Sequence, residues 1–148
     1  MMIVPMLAMA AACGGSTPAN VVPEGGPATV VAAFMEAVAD SNMTRMAQLW
    51  GTDQGSAAVT GKPEGYQRRI QIMHAFLTGS TAQVLATLDR SDDRVVLAVN
   101  LTRSLCRRQV SFTTVRTRSG EWLVNAIDLA AAGTPGQACS TENRVPPQ

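Results

Sequence analysis

The chain has 148 residues, with 12 lysines and arginines against 11 aspartates and glutamates, and only 4% of its residues are aromatic. That near balance of charge excludes the strong basic excess of a nucleic-acid-binding domain. The length suits about one domain, with a core built mainly from Val, Leu, Ile, Met and Ala.

Residues 1–12 carry no charge and end in small residues before Cys13. A polar run, Gly14-Gly15-Ser16-Thr17-Pro18, follows. That order is the shape of an export signal ending at a cleavage site. Cys13 then resembles the lipobox cysteine of a bacterial lipoprotein, whose thiol takes the lipid. Two features depart from that pattern: the first basic residue is Arg45, and Ala10 stands where Leu is usual. A signal beginning upstream of Met1 accounts for the missing positive region. The alternative is an Ala/Met-rich terminus with an incidental cysteine. The apolar run is shorter than the roughly 20 residues a membrane-spanning helix needs. The expected location is therefore the bacterial cell envelope, periplasmic or surface, with the membrane as a partner through a lipid anchor.

Residues 13–26 form a tether of Gly, Ser, Pro and Asn. It would hold a domain about 20 Å from its anchor. With Cys13 acylated, Cys106 and Cys139 are an even pair in an oxidising space, and a disulfide between them is expected. Two unrelated thiols are the alternative.

The folded domain is expected over 27–133, with a tail over 134–148. Pro27 suits the first position of a helix. Val31, Phe34 and Val38 then share one face. Asn42 can cap a second short helix carrying Met43, Met46 and Trp50 at the same spacing. Residues 51–62 read as a Gly/Ser/Thr-rich loop with room for a small hairpin. Pro63 opens a third helix whose stripe is Tyr66, Ile70, Met73 and Leu77, and Gly79 stops it.

Four strands follow, over 82–89, 94–102, 108–117 and 121–129, with Val, Thr, Leu and Ile alternating. A first turn at Arg90-Ser91-Asp92-Asp93 pairs Leu88 with Val95, Ala86 with Leu97 and Val84 with Val99. A second, centred on Leu105-Cys106, keeps parity. A two-residue turn at Ser119-Gly120 pairs Arg116 with Leu123, Thr114 with Asn125, Phe112 with Ile127 and Val110 with Leu129. One face then holds most large apolar residues. The other holds Thr87, Asn100, Ser111, Thr113, Thr117 and Asp128, with Val96, Val115, Trp122 and Val124 among them.

Helices first and antiparallel strands after is α+β segregation: three N-terminal helices on a curved four-stranded antiparallel sheet. The ending, Val110 to Arg116, then Ser119-Gly120, then Glu121-Trp122-Leu123 to Leu129, resembles the nuclear-transport-factor-2-like superfamily. That superfamily shares its cone-shaped fold with steroid isomerases and polyketide cyclases. The resemblance implies a pocket between the helices and the concave sheet face. Tyr66, Thr114, Arg116 and Asn125 are its polar candidates for ligand binding. Each has a second reading: Tyr66 as a core residue, Arg116 as a rim residue reaching solvent, and Thr114 with Asn125 as a cross-strand pair.

Enzymes of this fold usually place an Asp or His inside the cone. His74 lies off the apolar stripe, Asp53 sits in a loop and Asp128 points outward, so no catalytic residue is assigned. One histidine without paired acids gives no metal site, and no phosphate loop or serine elbow points to a cofactor. Arg103, Arg107 and Arg108 flank Cys106 and read as a solvated turn or as a contact to anionic lipid or a partner. The expected function is a non-enzymatic, lipid-anchored binding domain for a small apolar ligand or an envelope protein. The alternatives are an enzyme of the same fold acting on a small apolar substrate, and a structural homodimer formed through the outer face around Trp122, Val115 and Val124.

Overall fold

The computed structural model describes residues 25–146. Cys13, the expected signal at 1–12 and most of the tether lie outside the described residues. Helix α1 (Pro27–Ala39) starts with Pro27 behind Gly26, where the ring fixes φ and the missing N–H costs no hydrogen bond. It buries Val30, Val31, Phe34, Met35, Ala37 and Val38. Ser41, at φ 52, turns the chain. Asn42 then caps α2 (Met43–Leu49), its Oδ1 accepting from the Arg45 N–H at 2.9 Å.

Trp50 leaves α2 in an extended conformation. A small hairpin follows, β1 (Gly51–Thr52) with β2 (Gly55–Ser56), and then one helical turn, α3 (Ala57–Thr60). Helix α4 (Tyr66–Leu77) begins three residues after Pro63, behind Gly65 in a left-handed conformation at φ +72. Ile70, Met73 and Leu77 are buried, as their spacing predicts. The main sheet is therefore preceded by four helical segments where three are expected. The extra one is a single turn, too short to leave a periodic pattern.

The main sheet is antiparallel and runs β3 (Thr81–Arg90), β4 (Arg94–Arg103), β5 (Cys106–Arg116), β6 (Trp122–Ile127) in that spatial order. The fold is thus α+β. Val95, Leu97, Val99 and Leu101 of β4, with Val110 and Phe112 of β5, meet Phe34, Met46, Leu49 and Leu77 in one core. Each such side chain, fully buried, contributes about 1.5–3 kcal/mol.

Turn lengths decide the register. The β4–β5 turn is Ser104-Leu105, flanked by Arg103 and Cys106. It lies one residue earlier than expected, which shifts pairing by two and preserves the faces. The β3–β4 turn is shorter than the four residues expected. Ser91 N–H bonds the Arg94 carbonyl at 2.7 Å, leaving only Asp92-Asp93 between them. Val95 therefore pairs with Arg90, not Leu88. Two register shifts along β3 take up the surplus, so Ala86 pairs with Ala98 rather than Leu97, while Val84 pairs with Val99 as expected. Each shift bends and twists the strand locally.

The β5–β6 loop is longer than expected. Thr117 N–H bonds the Glu121 carbonyl at 2.7 Å, so Arg118-Ser119-Gly120 form a three-residue loop with Gly120 at φ +96. Arg116 pairs with Trp122, not Leu123, and Thr114 with Val124, not Asn125. Asn125 is the surplus residue of a register shift, after which Phe112 meets Ile127 as expected. The slip exchanges faces over three residues. Val124 is fully buried in the helix-side core and Trp122 packs against it, so neither belongs to the outer face. Leu129 opens a short helix, α5 (Leu129–Ala132), instead of pairing with Val110.

Beyond Gly133 the chain returns to the β4–β5 turn. Val145 N–H bonds the Leu105 carbonyl at 2.8 Å, and Arg144 bridges Cys106. Cys106 and Cys139 form a disulfide, with Cα atoms 5.5 Å apart.

Candidate functional site

The four expected ligand contacts do not converge. Thr114 is fully buried, but its hydroxyl donates to the Val95 carbonyl at 3.0 Å on the neighbouring strand. That hydroxyl is already used as a sheet contact. Arg116 is exposed at the end of β5, its Nε donating to the Gly120 carbonyl at 3.4 Å, and it faces a shallow, mixed-charge depression with Asp53, Asp92 and Asp93. Tyr66 is half-buried at the start of α4 and packs against the core.

Asn125 lines an apolar cleft. Its bulged position turns the side chain out of the ladder, and Nδ2 donates to the Gly51 carbonyl at 2.8 Å. Trp50 approaches from the end of α2, its Nε1–H donating to the Asn125 carbonyl at 2.9 Å. Trp50 and Asn125, so joined, both line a cleft of about 240 Å³ between α4 and β6. Ile72, Met73, Ile127 and Leu129 wall it, and Arg69 supplies the one charge. The volume is close to the small end of ligand pockets, about 300 Å³. Trp50, expected only on the apolar face of its helix, and Arg69 are absent from the expected site residues. A signal for Trp50 exists: a tryptophan buried at a helix end must find an acceptor for its N–H, and that acceptor must come from another element.

Two of the three acid/base candidates have side-chain partners. His74 Nε2 lies 3.1 Å from the Ser41 hydroxyl. The Asp128 carboxylate caps α5, accepting from the Ala131 N–H at 3.1 Å. Asp53 is exposed, and its backbone carbonyl accepts from the Arg118 N–H at 3.1 Å. Among the described residues no group of three or more His, Cys, Asp or Glu side chains stands close enough to hold a metal ion. No helix among them is long and apolar enough to cross a membrane.

The sequence matches no model of a known protein family and no curated protein.

Proposed function

We propose that this chain is an exported, lipid-anchored binding domain of the bacterial cell envelope, of the nuclear-transport-factor-2-like type. Its ligand is a small, largely apolar molecule with a polar end. The observation that carries the reading is the cleft beside Trp50: apolar walls with Arg69 and Asn125 as its polar contacts. A molecule with an apolar body and one hydrogen-bonding or anionic end matches that lining.

The compartment rests on the cysteines. The Cys106–Cys139 disulfide suits an oxidising space and leaves Cys13 as the odd thiol. The family reading is supported by the helices that precede a four-stranded antiparallel meander and pack against it.

Two experiments test the proposal. Titrating the full chain with a fluorescent fatty-acid analogue should give saturable binding. Ile72→Glu, at a position 41% exposed, should abolish it without unfolding the protein. Absence of saturation, or equal binding by the variant, rejects the ligand reading. Mass spectrometry of the natural product should show an acylated Cys13 as the first residue; an intact Met1 rejects the anchor.

A further inference from the structure

We infer a second, separate site: an anion-binding cleft at the disulfide end of the sheet, suited to a phosphate group. The cleft encloses about 350 Å³ between the β4–β5 turn, the end of α5 and the returning C-terminal segment. Three arginines line it, Arg103, Arg108 and Arg144. No acidic residue among the described residues does. It lies apart from the cleft beside Trp50, with which it shares no lining residue.

One of the guanidinium groups is hydrogen-bonded in place and a second packs against backbone. Arg103 Nε donates to the Ser80 hydroxyl at 3.2 Å, and its Nη2 donates to the Phe76 carbonyl at the end of α4. Arg108 lies against the backbone of Gly133. A β-carbon at that glycine would stand 2.8 Å from the Arg108 Cζ. Gly133, at φ +81, thus makes room for the guanidinium. The Arg108 and Arg144 side chains have no hydrogen-bond or carboxylate partner among the described residues, which leaves their forks of donors free.

Like charges gathered in one cleft repel, and an anion relieves that repulsion. Arginine forks match carboxylate and phosphate geometry. Three guanidinium groups offer more donors than the two oxygens of one carboxylate can accept. A terminal phosphate offers three oxygens and close to two negative charges, so it is the better match. The source is either a free phosphorylated metabolite or the headgroup of a phosphomonoester lipid.

The test is calorimetry of the full chain, carrying Cys13→Ser, with inorganic phosphate and with glycerol 3-phosphate. Both should bind. Arg144→Gln and Arg108→Gln should each weaken binding about tenfold, the loss expected for one charge-assisted contact. Arg144 is exposed, so its substitution spares the fold. A parallel arm measures retention on phosphatidic acid vesicles against phosphatidylcholine vesicles. Retention that depends on Arg108 and Arg144 assigns a lipid headgroup, and binding of the soluble phosphates without it assigns a free metabolite. Tighter binding of citrate than of phosphate overturns the phosphate assignment. No binding in either arm, or binding that neither arginine affects, overturns the site.

Discussion

The Trp50 indole donates to the backbone carbonyl of Asn125, 75 residues further along the chain, while the Asn125 side chain donates back to the carbonyl of Gly51. This exchange fastens the end of α2 to β6, and a parallel bridge between Trp50 and Val124 extends it. The polar end of the apolar cleft is therefore made of groups that also hold the fold together.

Replacing Asn125 with Ala tests that double use. The Gly51 carbonyl loses its side-chain donor, at a cost of about 1–3 kcal/mol. Urea denaturation should show the midpoint fall without a change in slope. A stability equal to the wild type would mean that the bulge is fixed by strand pairing alone.

Trp122→Ala separates the two possible faces of that residue. Trp122 packs against the helix-side core, so its truncation should destabilise the domain by about 2–3 kcal/mol, below the range for a fully buried aromatic. Sedimentation should show the same oligomeric state as the wild type. A change of oligomeric state with unchanged stability would return Trp122 to an outer interface.

Breaking the disulfide, by reduction or by Cys106→Ser with Cys139→Ser, removes a closure that spans 33 positions. The chain-entropy estimate is a loss of about 3–4 kcal/mol. The segment bearing Gln137 and Arg144, both of which line the arginine cleft, is then tied only by its bonds to the β4–β5 turn. Denaturation with and without reductant measures the first effect, and phosphate titration of the reduced protein the second. Identical curves in both would show that the tail holds its place without the covalent link.

Much of the fold was legible because apolar spacing is a strong signal. Val31, Phe34 and Val38 in α1, and Ile70, Met73 and Leu77 in α4, are buried as their spacing predicts. The disulfide followed from counting thiols. Loop length was the illegible part. One more residue in the 118–120 loop moved Trp122 and Val124 to the opposite face, and Asn125 absorbed the difference. Alternation along a strand fixes relative faces, but it carries no information about where a surplus residue is inserted. The cleft beside Trp50 was hidden for the same reason, because it depends on Asn125 leaving the ladder.

The two register shifts in β3 have a consequence for solubility. β3 is an edge strand of ten residues, and Leu85 and Leu88 on it are 46% and 56% exposed. A straight edge of that length and character is a template on which further chains can add. Here the line of free N–H and carbonyl groups is broken at 84–86 and again at 87–89, and Asp89 and Arg90 place charge at its far end. An incoming strand can match only a few residues before losing step. The irregular edge works as a guard against fibre growth, and straightening it by deleting Leu85 and Leu88 would remove that guard.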